Sequence, residues 1–446
     1  MFRIYLPEQV VYILDLLKRN GHEAFTVGGC VRDSVLGKIP GDWDITTSAV
    51  PEQIKQIFQK TYDTGIKHGT VTVVLDEQHF EITTYRIEGS YNDYRHPSQV
   101  LFTRNIIEDL KRRDFTMNAI AFNPDTGFVD PFDGISDIKN KIIRCVGNPE
   151  ERFREDALRM LRAVRFAGQL DFEIEPDTLE AVKRCSSLIA NISSERIRDE
   201  LSKLLVSDHP EKIILMVKTR LADSILAEFA RCMLTEQRHP YHVYNVGIHT
   251  IETLKNIRAD FVLRWTMLLH DMGKPLTRTA DENGIDHFYG HGRMSEIIAN
   301  DVLKRLRFDN KSIRKITRLV KWHDRPIEPA KEAVKRAIRA VGEDIIEDLL
   351  EVQEADMRGQ NPEFLRDRLE KHKQVKKIYN EIIEQQECCS IKDLAVNGND
   401  LMEIGFKRGR EIGTALEKLL DYVMEYPEMN TKEQLLEYAK IFIKMR

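Results

Sequence analysis

The chain has 446 residues, which is enough for two to four domains of about 100 to 200 residues each. Apolar residues make up 42% of it and charged residues 31%, and no apolar run approaches the roughly 18 residues of a membrane span. These values argue against a membrane protein, and the formal net charge of −5 argues against a surface that coats polyanions everywhere. A local basic cluster can still bind nucleic acid.

The first predicted element is a helix in MFRIYLPEQVVYILDLLKRNG. Pro7 is typical of a helix start, Val10, Leu14 and Leu17 share one face, and Gly21 ends the pattern. We therefore expect a folded helix rather than a signal peptide. The six cysteines show no C-x-x-C spacing, which is typical of the reducing cytosol and predicts a cytoplasmic protein.

The pattern of predicted elements changes near residues 148–150. Before them, β-rich runs such as AFTVG, WDITT, TVTVVLD, HFEITTYR and KIIRCV alternate with helical connections, and after them nearly every segment has helical periodicity. The predicted fold class is α+β, with a small N-terminal sheet domain followed by predominantly α-helical regions. With further chain breakers near 239–241 and 359–364, we predict domains at 1–147, 148–235, 236–360 and 361–446.

A glycine turn follows the first predicted strand. The strand FTV leads into Gly28 and Gly29 and then into the helix CVRDSVLG, which predicts backbone N–H groups at a helix N-terminus. The glycines allow close backbone approach, Arg32 can bind phosphate, and Asp33 can orient Arg32. Most glycine pairs are only turns, and this pair predicts a phosphate site only in combination with nearby carboxylates.

Two aspartates lie about 13 residues downstream, in GDWDITT. In a strand, Asp42 and Asp44 would project from the same face, and carboxylate oxygens are ligands that suit Mg²⁺. An isolated D-x-D is usually a polar edge strand, but beside the glycine turn it predicts phosphoryl or nucleotidyl transfer. Glu81 is a third candidate carboxylate, of second rank because a strand glutamate usually faces solvent.

Five motifs occur in order over about 175 residues: GGCVRD with DWDIT, RRDFTMNAIAF, DPFDGISDI, RFREDALRMLRAVRFA and SSERIRDEL. Together they resemble the class II tRNA nucleotidyltransferases and the bacterial poly(A) polymerases. The resemblance implies a nucleotidyltransferase head, helical neck and body regions, and Asp42 and Asp44 as metal ligands. It also implies nucleotide binding by Arg113 and Asp114 of the RRDF segment.

The segment EDALRMLRAVR predicts a device that selects the base. Asp156 and Arg159 lie three residues apart, which places them on one face of a continuous helix. Cytosine and adenine each present an amine donor beside a ring-nitrogen acceptor, whereas guanine and uracil present a carbonyl beside an N–H. An accepting aspartate and a donating arginine therefore match C and A. The family uses such a template, and Glu155 resembles its positioning neighbour.

Further arginines continue this row. Arg162 and Arg165, together with Arg113, are candidates for binding the triphosphate or the base. The alternative is a solvated basic face that only contacts RNA phosphates.

Residues 84–100 are polar and contain glycine, which predicts a mobile loop. In family members that build the complete CCA end, a loop at this place helps the pocket to change from C to A. The sequence does not choose among Arg86, Asp93 and Arg95 as the acting residue.

Seven of the 13 histidines lie between His239 and His323. The segments GIHTIETL, LLHDMGKP, YGHGRMS, KWHD and EADMRG resemble the HD phosphohydrolase superfamily. The candidate ligands of a divalent metal such as Mg²⁺, Mn²⁺ or Ni²⁺ are His249, His270, Asp271 and Asp356, and those of a second metal are His291 and His323. The remaining candidates, His242, His287 and Asp324, are interpreted as surface, capping or helix-end residues.

The predicted function is the template-free, Mg²⁺-dependent addition of CMP and AMP, from CTP and ATP, to the 3′ end of tRNA. The second site would hydrolyse phosphomonoesters or cyclic phosphates at RNA ends, or would bind metal without turnover. The alternatives are a poly(A) polymerase, a hydrolase centred on the histidine segment, and an RNA-binding scaffold. Residues 361–446 are expected to form solvated helices, for which tRNA contact is a family expectation only. The oligomeric state is not predicted.

Overall fold

A computed structural model describes residues 4–89 and 99–444 of the chain. The described residues form two compact units. The first runs to Ala230 and includes Arg305–Arg307, and the second comprises Arg231–Lys304 and the chain from Phe308 onward. The first unit combines a mixed sheet with helices and the second is mostly helical, which agrees with the predicted α+β class. The four predicted domain boundaries stay predictions.

The strands of the described residues fall mainly within the first 130 positions. They are β1 (Ala24–Val27), β2 (Ile45–Thr47), β3 (Thr61–Gly65), β4 (Thr70–Leu75), β5 (Gln78–Thr84), β6 (Arg86–Glu88), β7 (Val100–Phe102), β8 (Ala121–Asn123), β9 (Gly127–Val129), β10 (Ile142–Ile143), β11 (Glu173–Ile174), β12 (Thr279–Ala280) and β13 (Asp286–His287).

The α-helices of the first unit begin close to the N-terminus and dominate it after residue 148. They are α1 (Glu8–Arg19), α2 (Gly29–Val35), α3 (Pro51–Ile57), α4 (Ile106–Lys111), α5 (Gly134–Lys139), α6 (Pro149–Glu155), α7 (Leu158–Leu170), α8 (Pro176–Cys185), α9 (Ser194–Leu205), α10 (Ile214–Lys218), α11 (Leu221–Ile225) and α12 (Ala227–Cys232), whose last residues enter the second unit.

The helices after α12 lie in the second unit, apart from the last residue of α16. They are α13 (Val246–Lys255), α14 (Phe261–Leu269), α15 (Lys274–Thr277), α16 (His291–Arg305), α17 (Asn310–Trp322), α18 (Lys331–Val341), α19 (Ile346–Arg358), α20 (Leu365–Glu384), α21 (Gly398–Glu403), α22 (Arg410–Glu425) and α23 (Lys432–Lys444).

A seven-stranded mixed sheet forms the centre of the first unit, in the order β3-β4-β5-β2-β1-β8-β9. Strand β2 runs parallel to β5 with Ile45 opposite Ile82, whereas the other pairs are antiparallel. This register brings Asp44, which directly precedes β2, next to Glu81 of β5. The parallel pair therefore assembles two of the predicted carboxylates.

Helix α1 covers one face of this sheet. Val10, Leu14 and Leu17 are buried as predicted, because their helical spacing places them on the side that packs against sheet residues such as Ile45 and Ile82. Burial of this apolar face stabilises the head, since each fully buried aliphatic side chain contributes about 1.5–3 kcal/mol.

Three predicted strand or loop segments differ from the structure. The strand predicted for WDITT begins only at Ile45, because Pro40 and Gly41 keep the preceding residues in a bend. KIIRCV contributes just Ile142–Ile143, which pair with β11 outside the main sheet. The ends of the loop predicted at 84–100 form the antiparallel pair β6 and β7, with Arg86 in β6, while Asp93 and Arg95 lie outside the described residues.

The second unit has separate apolar cores. Helix α14 is buried along most of its length, including Trp265, and delivers His270 at its C-terminal end. The C-terminal helices α21, α22 and α23 pack around Leu401, Leu419 and Leu435. None of the helices in the described ranges is long and apolar enough to cross a membrane.

Candidate functional site

The predicted metal ligands Asp42 and Asp44 lie just before β2 rather than within it, which corrects the expected strand position. The backbone is held in place because the N–H of Val27 donates to the carbonyl of Asp44 at 3.0 Å. Burial, followed by repulsion from Asp42, raises the pKa of Asp44, and Glu81 adds to the repulsion. Asp44, with the carboxylates of Asp42 and Glu81 close enough to disfavour its charge, belongs to a donor set that suits a divalent cation.

One backbone N–H of the glycine turn is already hydrogen-bonded within the chain, and the predicted phosphate-binding role of the turn stays a prediction. The N–H of Gly28 donates to the carbonyl of Ile120 at 3.1 Å, so this group is not available to a phosphate. Gly28 has φ +81°, and a Cβ there would lie 2.9 Å from Nη1 of Arg113. Glycine is favoured here because φ is positive, and Arg113 packs against the turn, where its charge offsets part of the rise in the pKa of Asp44.

Arg32 is fixed by two partners at the start of α2. Its Nε donates to Asp33 at 2.8 Å and its Nη1 donates to the Asn118 side chain at 2.7 Å. The prediction that Asp33 orients Arg32 is confirmed. Asn118 is a second orienting residue that the sequence pattern did not reveal.

The helix that carries the predicted base-selecting pair is interrupted. Helix α6 ends at Glu155, and α7 begins at Leu158, so Asp156 and Arg159 do not share one continuous helix as predicted. The break arises because the Asp156 side chain accepts from the N–H of Leu158 at 3.0 Å, as a capping residue does. Asp156 also pairs with Arg196 at 2.8 Å, and Arg159 pairs with Glu155 at 2.7 Å.

Two further arginines of α7 and Arg32 of α2 surround one aromatic ring. The guanidinium carbons of Arg32, Arg162 and Arg165 lie 5.1, 5.4 and 3.8 Å from the centre of the buried Phe166 ring. Arg162 is bound by Asp114 at 2.6 Å, and Arg165 by Glu200 at 2.5 Å. The alternative of a solvated basic face is wrong for Arg165, which is buried against these partners.

Asp114 is the carboxylate partner of Arg162. It is buried, it accepts from Arg162 and Asn118, and its pKa is held well below its usual range: burial alone would raise it, but Arg162 and Arg159 outweigh burial. Asp114 therefore orients Arg162.

The histidine segment of the second unit forms a compact cluster. Nε2 of His249 lies 2.9 Å from Asp356 and 3.4 Å from Asp271, and Nε2 of His270 lies 3.3 Å from Asp271. Burial alone would raise the pKa of Asp271, but His270 and Lys274 hold it well below its usual range. The four residues predicted to share one metal are thus adjacent.

The two predicted ligands of a second metal join the same cluster. Nε2 of His291 and Nε2 of His323 lie 3.2 Å apart, and each is 3.5 Å from Oδ1 of Asp271. Asp271 therefore belongs to two groups of three ligand atoms, one with His249 and His270 and one with His291 and His323. These are the two groups found among the described residues; Asp42, Asp44 and Glu81 are not brought as close together.

The ligand chemistry of this cluster fits a pair of divalent metals. Both oxygens of the buried Asp271 lack a well-aligned hydrogen bond within the described part of the chain, although the ammonium of Lys274 lies 2.7 Å from one of them. Carboxylate oxygens that lack a well-aligned hydrogen bond and lie beside four imidazoles are suited to bridging cations.

His242 and His287, interpreted from the sequence as surface or capping residues, are both partly buried, and that interpretation stays a prediction. The His242 ring lies 5.6 Å from that of His249, and burial together with Lys274 and His249 lowers its pKa to about 3. Both histidines line a cavity of about 690 Å³ that opens beside the cluster. Asp324 follows the end of α17, as predicted, but also lies 3.5 Å from His291.

Three family descriptions match the chain. Residues 24–144 match the poly A polymerase head domain, residues 171–233 match the probable RNA and SrmB-binding site of polymerase A, and residues 285–439 match tRNA nucleotidyltransferase domain 2. None of the three describes an HD phosphohydrolase, so that resemblance stays a prediction.

Relatives and solved structures agree with these matches. The chain is 54% identical over 200 residues to the CCA-adding enzyme of Ligilactobacillus salivarius, a match that covers 45% of this chain and 50% of the relative. The chain thus spans about half the length of such relatives. The crystal structure of the Bacillus stearothermophilus CCA-adding enzyme in complex with CTP is 30% identical and covers 98% of both chains, with a TM-score of 0.74.

The chain belongs to the CCA-adding enzyme family.

A more distant member of this family supports the fold alone. The Thermotoga maritima CCA-adding enzyme complexed with tRNA is 20% identical, with a TM-score of 0.59 over 98% of this chain and 96% of that one. The CCA-adding enzyme family generally uses a divalent metal, which agrees with the donor chemistry of Asp42 and Asp44.

One buried acid of the first unit, Asp109, was not predicted from the sequence. Asp109 is fully buried, binds Arg112 at 2.9 Å, lies 3.6 Å from Arg113, and accepts from the hydroxyl of Thr46 at 3.2 Å. Asp109 lies three residues before Arg112 and four before Arg113, and an acid and a base at these spacings lie side by side on a helix. This spacing could have predicted the contacts. Asp109 thus fixes Arg113 beside Gly28.

Proposed function

We propose that this protein adds CMP and AMP, from CTP and ATP, to the 3′ end of tRNA. The observation that carries the proposal is the match over nearly the whole chain to a CCA-adding enzyme crystallised with CTP. The side chains that fit the reaction, Asp42, Asp44, Asp156 and Arg159, all lie in the first unit. The tRNA substrate and the absence of C-x-x-C spacing favour a cytoplasmic location.

The carboxylates just before β2 are suited to phosphoryl transfer. Asp42 and Asp44 would hold a divalent metal such as Mg²⁺, which when bound neutralises phosphate charge and favours attack by the tRNA 3′-hydroxyl. Arg113, fixed by Asp109, supplies a positive group beside these carboxylates for the triphosphate. Arg32 and Arg162 are held in fixed orientations, so they can bind phosphate oxygens with little reorganisation.

Base selection follows from the hydrogen-bonding capacity of two side chains. The Asp156 carboxylate accepts from the exocyclic amine of cytosine or adenine, and the Arg159 guanidinium donates to the adjacent ring nitrogen. Guanine and uracil would place an N–H against Arg159 and a carbonyl against Asp156. Arg196 and Glu155 orient the two side chains, since each makes an ion pair with one of them.

The competing function within the family is poly(A) synthesis. The test incubates the purified protein with tRNA that lacks its last three nucleotides and supplies CTP and ATP separately and together. We expect C incorporation with CTP alone and a completed CCA end with both. Long A tails without any C would overturn CCA addition in favour of a poly(A) polymerase.

A second function is proposed for the histidine cluster. Two groups of metal-ligand type that share Asp271, beside an open cavity, favour hydrolysis of phosphate esters at RNA ends. His249, His270, Asp271 and Asp356 would hold one metal, and His291 and His323 would complete a second position. Bound metals of this kind would supply an activated water.

The test of the second function measures hydrolysis of p-nitrophenyl phosphate and bis(p-nitrophenyl) phosphate with Mg²⁺, Mn²⁺ or Ni²⁺. We expect turnover that is lost in the double variant His270→Ala and Asp271→Ala but kept in Asp42→Ala and Asp44→Ala. A protein that binds these ions without turnover would instead have a structural metal centre.

A further inference from the structure

The four histidines of the cluster in the second unit all use the same ring nitrogen in the same way. Nδ1 of each ring donates to a backbone carbonyl, because a carbonyl oxygen can only accept. The acceptors are the carbonyls of Gly359 for His249, Met267 for His270, Phe288 for His291 and Val320 for His323, at 3.0, 2.7, 2.8 and 2.7 Å. Nε2 of each ring is therefore the nitrogen left for a metal.

One of these four carbonyls comes from a distant part of the chain. Met267, Phe288 and Val320 each lie three residues before their histidine, so the local backbone supplies the acceptor. Gly359 instead lies 110 residues after His249, directly after α19. The orientation of the His249 ring thus depends on how the end of α19 packs against α13.

Gly359 approaches His249 more closely than a larger residue could. A Cβ at this position would lie 2.7 Å from Cγ2 of Thr253 and 3.2 Å from Nδ1 of His249. Thr253 is fully buried, and its hydroxyl donates to the carbonyl of Thr250 at 2.8 Å, so its side chain has little room to turn away. The lack of a side chain at Gly359 therefore lets its carbonyl reach the imidazole.

The next residue, Gln360, holds a second candidate ligand of the same metal. Its Nε2 donates to Oδ2 of Asp356 at 2.9 Å, while Oδ1 of Asp356 lies 2.9 Å from Nε2 of His249. The guanidinium of Arg368 donates to Oε1 of Gln360, which fixes the direction of the amide because a guanidinium can only donate. Gln360 thus engages one carboxylate oxygen of Asp356 and leaves the other to face the imidazole.

The residue after Gln360 anchors this segment. The side chain of Asn361 donates to the carbonyl of Pro240, and its N–H donates to the carbonyl of Tyr241, both at 2.9 Å. Pro240 and Tyr241 belong to the chain that leads into α13, the helix that carries His249. Residues 359–361 therefore form a fixed support behind His249 and Asp356.

We propose that Gly359 and Gln360 are positioning residues for one of the two metal positions, the one formed by His249, His270, Asp271 and Asp356. The inference rests on the proposed function of the cluster and assigns part of its metal affinity to two residues that bind no metal themselves. Loss of such supporting contacts lowers metal affinity by about 10- to 100-fold. Within the described ranges neither residue hydrogen-bonds to His291 or His323, so the second position should keep its affinity.

The test titrates the full-length protein with Mn²⁺ and follows the free ion by electron paramagnetic resonance. All proteins carry Asp42→Ala with Asp44→Ala, which removes the candidate metal ligands of the first unit. We expect two ions per chain in this background. In Gln360→Met, which keeps the length of the side chain but cannot donate to Asp356, one ion should bind about 10- to 100-fold more weakly.

The matched control is Gln353→Met. Gln353 lies on α19, and its amide donates to the carbonyl of Arg325 at 2.7 Å rather than to a ligand of the cluster. Both ions should bind to Gln353→Met as they do in the background protein. Equal Mn²⁺ affinities in Gln360→Met and Gln353→Met would overturn the assignment, as would a second unit that binds no Mn²⁺.

Gly359→Ala tests the contact with His249. The added methyl group should displace the carbonyl from the imidazole and weaken the same ion, whereas Gly413→Ala, whose Cβ would meet nothing within 4 Å, should have no effect. Thermal unfolding without metal checks that each variant is folded. If Gly359→Ala does not fold, the result for Gln360→Met decides.

This inference and the hydrolase proposal fail separately. Weaker binding of one ion in Gln360→Met, in a protein that hydrolyses no phosphate ester, would support the positioning role and remove the hydrolase. Hydrolysis of p-nitrophenyl phosphate with the same Mn²⁺ dependence in Gln360→Met as in the wild-type protein would do the reverse.

Discussion

Arg159 donates a hydrogen bond to the carboxylate of Glu155 at 2.7 Å across the break between α6 and α7. Glu155 is the last residue of α6, and Arg159 lies in the first turn of α7. The ion pair therefore fixes the guanidinium on the far side of the break between the two helices. We infer that Glu155 acts through Arg159 on base selection.

The first prediction concerns discrimination between CTP and UTP. Arg159→Ala should lower the ratio of their kcat/KM values by about 5- to 150-fold, because a bidentate base contact is worth about 1–3 kcal/mol. Glu155→Gln should lower the ratio by a smaller factor, since Arg159 loses its charged partner. The matched control is Glu151→Gln, an exposed residue of the same helix. If Glu151→Gln and Glu155→Gln behave alike, Glu155 has no role in selection.

The second prediction separates the two sites. Asp42→Asn with Asp44→Asn should reduce nucleotide incorporation by more than about 100-fold, because loss of groups that merely support metal ligands already costs about 10- to 100-fold. Hydrolysis of p-nitrophenyl phosphate should be unchanged in this variant. Steady-state assays of both reactions on one preparation check this. Loss of both activities together would indicate unfolding or a shared site.

The third prediction is a stability difference between two ion pairs. Arg165 and Glu200 are both buried, so Glu200→Gln should lower the free energy of unfolding by about 3–5 kcal/mol, since it leaves a buried guanidinium without its counter-charge. The pair Arg184 and Glu150 is more accessible to solvent, with side chains 57% and 30% exposed, and Arg184→Gln should cost about 0–1 kcal/mol. Denaturant unfolding followed by circular dichroism measures both. Equal losses would show that burial of the Arg165 pair is unimportant.

The fourth prediction concerns protons released when metal binds. Burial alone would lower the pKa of His270, but Asp271 outweighs burial and raises the pKa to about 10 in the metal-free protein. His270 is then protonated at neutral pH, and a metal must displace about one proton. The affinity for Mn²⁺ should therefore increase as the pH rises towards 10.

Calorimetry of Mn²⁺ binding in two buffers of different ionisation enthalpy counts the protons released. We expect different apparent enthalpies for the wild-type protein and a smaller difference for His270→Ala. The raised pKa also stabilises the metal-free fold: the contribution is complete below the ordinary value of 6.5 and is lost as the pH rises through about 10. An enthalpy that does not depend on the buffer would contradict the protonated state of His270.

Local sequence patterns predicted which faces of several helices and strands are buried. The face of α1 that carries Val10, Leu14 and Leu17 is buried as its spacing indicates, and Glu81 faces away from the buried Phe80 and Ile82 as alternation requires. His270 lies at the end of α14, where the apolar run stops. Each of these predictions depends on residues within a few positions of one another.

Long-range partners could not be predicted in the same way. Arg196 meets Asp156 across 40 residues, and Glu200 meets Arg165 across 35. Such pairs depend on how α7 and α9 pack, which no local spacing records. The helix break at Asp156 could not be predicted for another reason. The apolar periodicity continues through the break, and a single side chain, the carboxylate of Asp156, caps α7.

The arginines around Phe166 each have a carboxylate of their own: Arg32 has Asp33, Arg162 has Asp114 and Arg165 has Glu200. The group therefore contributes almost no net charge at a distance, although it presents strong donors at contact. Nucleotide capture should then be governed by encounters at close range, and its association rate should respond only weakly to ionic strength. The fit of the triphosphate among preset donors, rather than long-range attraction, would decide which ligand remains bound.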